Sequence, residues 1–453
     1  MSLRFGTDGV RGVAGSELTP ELVLGLGRAA ARVLGVAGRP FVIGRDTRWS
    51  GPLLQAAFSA GVAAEGIDVV DLGVLPTPGV AWAASSLDAP AAVISASHNP
   101  FADNGIKLLS PGGRKLSDEE ESTVEAALDA LRHDEGAGAH LHGRRLGRLA
   151  GDPDAADRYR RRLVDALEGR SLAGVRVALD CGNGAAVATA AAVFEAAGAT
   201  VVEVLSADPD GTNINAGCGS TDPGALAASV VAHGAAAGLA FDGDADRVIA
   251  VDDRGRIVDG DRLIALLATD LHQRGRLSGD AVAVTVMTNL GFHRAMAGAG
   301  IKVASTAVGD RYVLEALESN GWSLGGEQSG HIIFRDLATT GDGVLTGLLL
   351  VDLLARRGTP LSAAADAAMQ RLPQMLRNVQ VADHTGLADA GPVWDEVRAV
   401  EAELGDDGRV LLRPSGTEKL VRVMVEAPTE QAAGRAVDRL ARAVLAALGP
   451  PDS

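Results

Sequence analysis

Cysteine, aromatic side chains, lysine and long apolar runs are all scarce in this chain, and each shortage rules something out. Cys181 and Cys218 are its only cysteines. They are too few for a disulfide framework or a C-x-x-C metal site, and a reduced, cytoplasmic setting fits them. Aromatics make up 3% of the residues against 47% hydrophobic overall, so alanine, valine and leucine must fill the cores. Glycines and charges interrupt every long apolar stretch, and the opening "MSLRFGTDGVRG" lacks the apolar core of a signal peptide. Neither secretion nor a membrane span is expected. Positive charge is short as well. A net charge of −16 argues against nucleic acid or an anionic membrane surface as the main partner, and leaves room for a local basic pocket that takes a small anion.

What is present is a chain of 453 residues, too long for one core and suited to three or four domains of roughly 100 to 150 residues. The first segment, 1–148, alternates strand and helix signals. "FVIG" reads as a short strand, followed by the loop "RDTRWSG" and a helix from about Pro52 to Ala64 that Ser50 is placed to cap. "IDVVDLG" and "AAVIS" are further strands, and strands separated by single helices predict βαβ units in a largely parallel sheet. Ligands of such sheets bind beyond the carboxyl ends of strands, where Arg45, Asp46, Arg48 and Ser97 fall. The Gly-rich, charged stretch from about Glu135 to Gly151 reads as a linker. Segment 149–250 is a second α/β unit ending in "GLAFDGDADRVIAV", and 251–370 a third, ending its last strand in "WSLGGEQSGHIIF". Segment 371–453 differs, with two strands in "RVLLRPSGTEKLVRVMVEA" predicted to run antiparallel through a tight Ser-Gly loop, which makes a smaller α+β domain.

Each segment ends an apolar run in one polar loop, marked by Ser97, Asp242, Glu327 and Ser415. "AAVISASHNPFADNGIK" places Ser97, His98 and Asn99 in a row at a strand exit, with Pro100 blocking further regular structure. "DGDADR" puts carboxylates at 242, 244 and 246. Carboxylates about 4 Å apart repel by roughly 4 kcal/mol per pair at an effective dielectric near 20. A hard divalent cation with all-oxygen ligands, Mg²⁺ or Ca²⁺, relieves this. An EF-hand loop does not fit, because Arg247 stands where its glycine belongs and the flanks are strand-like. "RPSGTE" offers a guanidinium, two hydroxyls and a glycine whose neighbouring N–H groups can approach a phosphate, with Arg422 on the next strand. "GGEQSGH" supplies Glu327, Gln328, Ser329 and His331, groups suited to sugar hydroxyls. Lysine occurs only at 107, 115, 302 and 419 among 42 basic residues. Lys107, ten residues after Ser97, therefore reads as a lysine kept for what arginine cannot do, such as moving a proton. Together the loops describe phosphoryl transfer, with Ser97 as nucleophile and phosphate carrier.

The set "SASHNP", "DGDADR", "GGEQSGH" and "RPSGTE", in that order and over essentially the whole chain, resembles the α-D-phosphohexomutase family. "FGTDGVRG", "NGIK", "NINAGCGSTD", "VGDRYV", "TTGDG" and the glutamine of "GEQSGH" resemble its bacterial glucosamine branch. The resemblance implies three tandem α/β domains with mixed sheets and a smaller C-terminal α+β domain around a central cleft. It implies interconversion of glucosamine 6-phosphate and glucosamine 1-phosphate on the route to cell-wall amino sugars, one Mg²⁺ per chain, and a hexose 1,6-bisphosphate as intermediate and activator. Carried over motif by motif, Ser97 is the phosphoserine and a metal ligand beside Asp242, Asp244 and Asp246. Glu327, Ser329 and His331 bind the sugar. Arg413, Ser415, Gly416, Thr417 and Arg422 grip the non-reacting phosphate. Arg11, Lys107 and Arg247 surround the phosphoryl group in flight, and His98, which shapes the turn after Ser97, is counted with the catalytic residues. Two departures stand out: Lys419 follows "SGTE" where relatives often carry proline, and Arg45 stands where many carry lysine. Neither touches the transfer chemistry. The resemblance leaves the oligomeric state open, a homodimer being one arrangement. A mannose or glucose mutase of the same family and a phosphoserine-dependent phosphatase are the rival readings; a phosphatase has no need of paired sugar and phosphate loops.

Overall fold

A computed structural model of the chain describes residues 9–133, 141–415 and 419–450. They form two compact units, one holding residues up to 287 together with 300–368, the other 288–299 with 369 onward.

The first unit contains three sheets built on one plan. In the first, the order is Val10–Val13, Asp103–Ser110, Ala91–Ile94, Phe41–Arg45, Val69–Val74 and Leu149–Gly151, with Arg114–Lys115 pairing on Asp103–Ser110. The inner pairs are parallel, as the βαβ reading requires. Ala91–Ile94 and Asp103–Ser110 are antiparallel, because the short "SASHNPFA" connection leaves no room for a crossover helix. Leu149–Gly151 pairs in parallel with Val69–Val74, so the first sheet runs past residue 148 and the stretch read as a linker ends in an edge strand. Helices Pro20–Leu34 and Gly51–Ala64 cross at two glycines. A Cβ on Gly27 would lie 2.3 Å from the Phe58 carbonyl oxygen, and one on Gly61 2.2 Å from that of Leu24, so only glycine permits this approach. Phe41 and Phe58 meet edge to face at 5.5 Å in the same core. Ser50 does not cap the helix after it: its backbone is already helical, and its hydroxyl accepts from Asn104 Nδ2 at 2.8 Å.

The second sheet runs Ile257–Val258, Val248–Asp252, Ala237–Phe241, Arg176–Asp180, Thr200–Leu205, and the third runs Lys302–Thr306, Ala281–Thr285, Leu324–Gly326, Ile332–Phe334. The second therefore extends beyond residue 250. In all three sheets a parallel strand (Ala91–Ile94, Ala237–Phe241, Leu324–Gly326) ends in a polar loop and returns as an antiparallel strand. The loops are those of Ser97, Asp242 and Glu327, at carboxyl ends of parallel strands, where α/β sheets bind ligands.

A buried contact joins two helices of this unit. Asp342 caps helix Gly343–Arg357 by accepting from the Leu345 N–H at 2.9 Å, and its other oxygen accepts from Tyr159 Oη at 2.6 Å. Burial lifts the Asp342 carboxyl from 3.8 to about 6, against the lowering pull of these hydrogen bonds. A carboxyl raised on folding adds stability that is complete below its unfolded pKa and is lost as pH rises through the folded one. Asp342→Asn should therefore gain relative to wild type between pH 4 and 7, by up to about 3 kcal/mol. Urea unfolding at four pH values across this window checks it; parallel curves for the two proteins would refute it.

The second unit is an antiparallel sheet, Gln374–Gln380, Leu420–Glu426, Arg409–Pro414, with helices Gly391–Leu404 and Glu430–Leu448. Val379, Val421, Val423, Val437 and Leu440 fill its core. Helix Leu290–Gly298 belongs to this unit too: the buried Glu426 accepts from the Leu290 N–H at 2.8 Å and pairs with Arg409 at 3.1 Å.

Candidate active site

Ser97 follows Ala91–Ile94 with φ +53°, the left-handed region that few non-glycine residues adopt, and is 1% exposed. Its Oγ donates to Asp242 Oδ2 at 2.7 Å and lies 3.3 Å from His98 Nδ1. A Cβ on Gly243 would sit 2.5 Å from the Ser97 carbonyl oxygen, so a glycine in "DGDADR" lets the two loops touch.

Asp242, Asp244 and Asp246 are all buried. One oxygen of each lies within 4.8 Å of the others. Asp244 Oδ2 accepts from Thr77 Oγ1 at 2.6 Å and from Lys107 Nζ at 2.8 Å. Asp246 Oδ2 is 3.5 Å from Lys107 Nζ and 3.6 Å from His331 Nδ1. Lys107 reaches them from the strand Asp103–Ser110, itself 3% exposed. Burial and the carboxylates of Asp246 and Asp244 hold Asp242 well above the usual carboxylate range, against Arg247 and the Ser97 hydroxyl. Burial pushes Asp246 up too, but Lys107, His331 and Arg247 outweigh it and hold it well below. Asp244 Oδ1 and Asp246 Oδ1 are buried without a hydrogen-bond partner, although Arg247 Nε stands 3.7 Å from the latter. Orphaned buried carboxylate oxygens carry a desolvation penalty that a hard cation relieves. The trio could hold a metal ion.

The Glu327 loop docks on the same place. Gly330 has φ +90°, and a Cβ there would lie 2.1 Å from the Val248 carbonyl oxygen; the Val248 N–H donates back to the Gly330 oxygen at 3.1 Å. Glu327 Oε1 accepts from the Gly309 N–H at 3.1 Å, and Ser329 Oγ is buried without a hydrogen-bond partner. His331 lies between Asp246 and Asp310, the latter at 3.2 Å. Burial lowers its pKa, but the two carboxylates prevail and the net shift is upward. The Gly341 N–H, which donates to Nε2 at 3.0 Å, favours the opposite, neutral form; two charges outweigh one backbone dipole here. Arg247 Nη1 lies 3.3 Å from His98 Nδ1, and Arg11 Nη1 3.4 Å from Asn99 Oδ1. Burial, Arg247 and Arg11 lower the His98 pKa.

In the other unit, Arg413 and Arg422 face each other across paired strands. Like charges directly opposite are destabilising. Ser415 is buried, and its N–H donates to Leu420 at 2.9 Å. Gly416 and Thr417 lie outside the described residues.

Comparison with known proteins finds relatives over the whole chain. Family models described as phosphoglucomutase/phosphomannomutase, alpha/beta/alpha domains I, II and III and C-terminal domain match residues 2–135, 157–255, 259–372 and 376–443. The chain belongs to the phosphoglucomutase/phosphomannomutase family. Among its curated relatives, a phosphoglucosamine mutase of Mycolicibacterium vanbaalenii is 51% identical, covering 98% of this chain and 100% of the relative. One of Rhodococcus opacus is 52% identical over 98% and 99%. A crystal structure of a phosphoglucomutase/phosphomannomutase family protein from Burkholderia thailandensis superposes with a TM-score of 0.81 at 28% identity, covering 97% of each chain.

Against this family's plan, sequence reading missed several residues that build the site. Thr77, at the start of helix Thr77–Leu87, holds Asp244 through its hydroxyl and through its N–H, which donates to the Asp244 carbonyl at 2.9 Å. Asn215, within the quoted "NINAGCGSTD", donates to the carbonyls of Ser97 and Asn99 at 2.9 and 3.2 Å. Asp310 and Gly309, within "VGDRYV", hold His331 and Glu327. Arg48 and Asp46 fall beyond a strand end as expected, but they are buried beneath the Ser97 loop and bonded to each other and to its backbone.

Proposed function

We infer that this protein is a phosphosugar mutase that interconverts glucosamine 6-phosphate and glucosamine 1-phosphate through a phosphorylated Ser97 and a 1,6-bisphosphate. Phosphorylated Ser97 gives its phosphoryl group to the free hydroxyl of the monophosphate: that oxygen bonds to phosphorus, the Oγ–P bond breaks, and the hydroxyl proton ends on Oγ. The bisphosphate turns end for end, and its other phosphate returns to Ser97, so no phosphate is lost. His98 and Lys107 are the groups we assign to the proton relay, and Arg11 and Arg247 to charge around the phosphoryl group. Asp242, Asp244, Asp246 and the phosphoserine would hold Mg²⁺, which supplies Lewis-acid neutralisation of phosphoryl charge when bound. Glu327, Ser329 and His331 orient the sugar, and Arg413, Ser415, Gly416, Thr417 and Arg422 grip the remote phosphate. A hexose 1,6-bisphosphate primes Ser97 that has lost its phosphate.

The observation that carries the reaction is the Ser97 hydroxyl 2.7 Å from one of three buried carboxylates, with Lys107 between the other two. The amino sugar is supported by the names of relatives at 51–52% identity over the full length. A coupled assay with glucosamine 6-phosphate, glucose 1-phosphate and mannose 1-phosphate tests it. The expected result is the highest kcat/KM on glucosamine 6-phosphate and stimulation by glucose 1,6-bisphosphate. Phosphate released stoichiometrically with substrate, with no effect of bisphosphate, would replace this reading with a phosphatase.

A further inference from the structure

Arg48 is among the largest fully buried side chains of the protein, 1% exposed. Every N–H of its guanidinium is engaged. Nε donates to Asp46 Oδ2 at 2.9 Å, Nη2 to the carbonyls of Ser97 and Asn99 at 2.9 and 2.8 Å, and Nη1 to those of Asp103, at 2.9 Å, and Pro100. Asp46 passes the hold to the other side of Ser97. Its Oδ2 also accepts from Ser95 Oγ at 2.6 Å, and Ser95 Oγ accepts from the Ser97 N–H at 3.0 Å. The N–H and the carbonyl of Ser97 are thus both pinned by one buried chain of side chains. The residue so pinned is the one with φ +53°.

Asp46 offsets the charge of Arg48, so what this pair contributes is geometry. A planar fork with five donors can fan onto four carbonyls and a carboxylate; an ammonium with three cannot. Left-handed backbone in a serine persists only where its surroundings over-determine it. In-line transfer is sensitive to displacements of about 1 Å, worth some 10²-fold in rate.

We propose that Arg48, directly at the Ser97 carbonyl and through Asp46 and Ser95 at its N–H, is the positioning device that holds Ser97 for phosphoryl exchange, and so sets how often its phosphoryl group passes to sugar and how often to water. The proposal rests on the phosphoserine reading above. Loss to water breaks the Oγ–P bond, forms a bond from the water oxygen to phosphorus, and returns a proton of that water to Oγ, releasing inorganic phosphate.

The test uses full-length wild type, Ser95→Ala and Arg48→Lys, each phosphorylated with glucose 1,6-bisphosphate. Intact mass follows phosphate on the protein over time, steady-state kinetics give kcat and KM, and thermal unfolding reports the fold. Ser95→Ala, which leaves the buried Ser97 N–H without its partner, should stay folded with a somewhat lowered unfolding midpoint and keep KM within about twofold, while kcat falls about 10-fold and phosphate is lost to water several times faster. Arg48→Lys should move both rates further in the same directions. Wild-type kcat and phosphoserine lifetime in Ser95→Ala would overturn the proposal, whatever the stability of either variant; if Arg48→Lys does not fold, Ser95→Ala decides alone. Wild type that takes up phosphate while both variants match it refutes positioning only. Wild type that takes up none overturns the phosphoserine reading and this proposal with it.

Discussion

Ser97→Ala is expected to abolish mutase turnover, by on the order of 10⁴-fold or more, as removal of a nucleophile does elsewhere, while the protein stays folded. The hydroxyl makes one strong contact, to Asp242, and fills little of the core. Alanine inherits the left-handed backbone that serine tolerates at φ +53°, so the variant should unfold within a few degrees of wild type. Ser97→Gly separates chemistry from conformation. It relieves the backbone strain and removes the same oxygen, so it should be at least as stable as Ser97→Ala and equally inactive. Intact mass should show one phosphate on active wild type and none at this position in either variant. Near-normal activity in Ser97→Ala would end the covalent mechanism.

Exhaustive chelation should remove nearly all activity, and Mg²⁺ should restore it. Asp242→Asn, Asp244→Asn and Asp246→Asn should each weaken Mg²⁺ binding and cut kcat on the order of 10²-fold or more. The three will differ in what else they disturb. An amide at 244 meets Lys107 and Thr77, and one at 246 leaves His331 with Asp310 as its remaining carboxylate neighbour. Ca²⁺ should bind the trio yet support turnover poorly, because its looser coordination places a phosphoryl group less well. The check is a Mg²⁺ titration of activity and of binding for all four proteins. Full activity after chelation, or wild-type Mg²⁺ dependence in all three variants, would refute the assignment.

The site was legible where its chemistry is compact in sequence. "DGDADR" carries three carboxylates in five positions, and the strands around it are apolar enough to mark their own ends. The antiparallel pair flanking "RPSGTE" was legible for the same reason, since both strands lie within one short segment. What escaped depends on partners distant in the chain. Ser50 has every local feature of a helix cap, and Asn104, 54 residues away, decides otherwise. Leu149–Gly151 is three residues of small or apolar side chain with no alternation to read, and pairing with Val69–Val74 alone makes it a strand. Thr77 looks like the opening of an ordinary helix until the fold brings Asp244 to it. Arginine carries no sign in sequence of whether it faces solvent, a phosphate or, like Arg48, the underside of a loop.

The ties between the Ser97 loop and the Asp242 loop bear on how the bisphosphate turns over. Ser97 meets Asp242, Asn215 holds the Ser97 and Asn99 carbonyls, Thr77 holds Asp244 twice, and Thr47 Oγ1 donates to the Asn183 carbonyl at 2.5 Å. Each of these bonds joins the first sheet's segment to the second's. Opening a gap between those segments would break them together and expose the buried carboxylates to water. On the proposed mechanism, the loop that carries the phosphorylated serine stays fixed to the carboxylate loop through Asn215 and Thr77. The bisphosphate of that mechanism would therefore turn while these two segments stay joined.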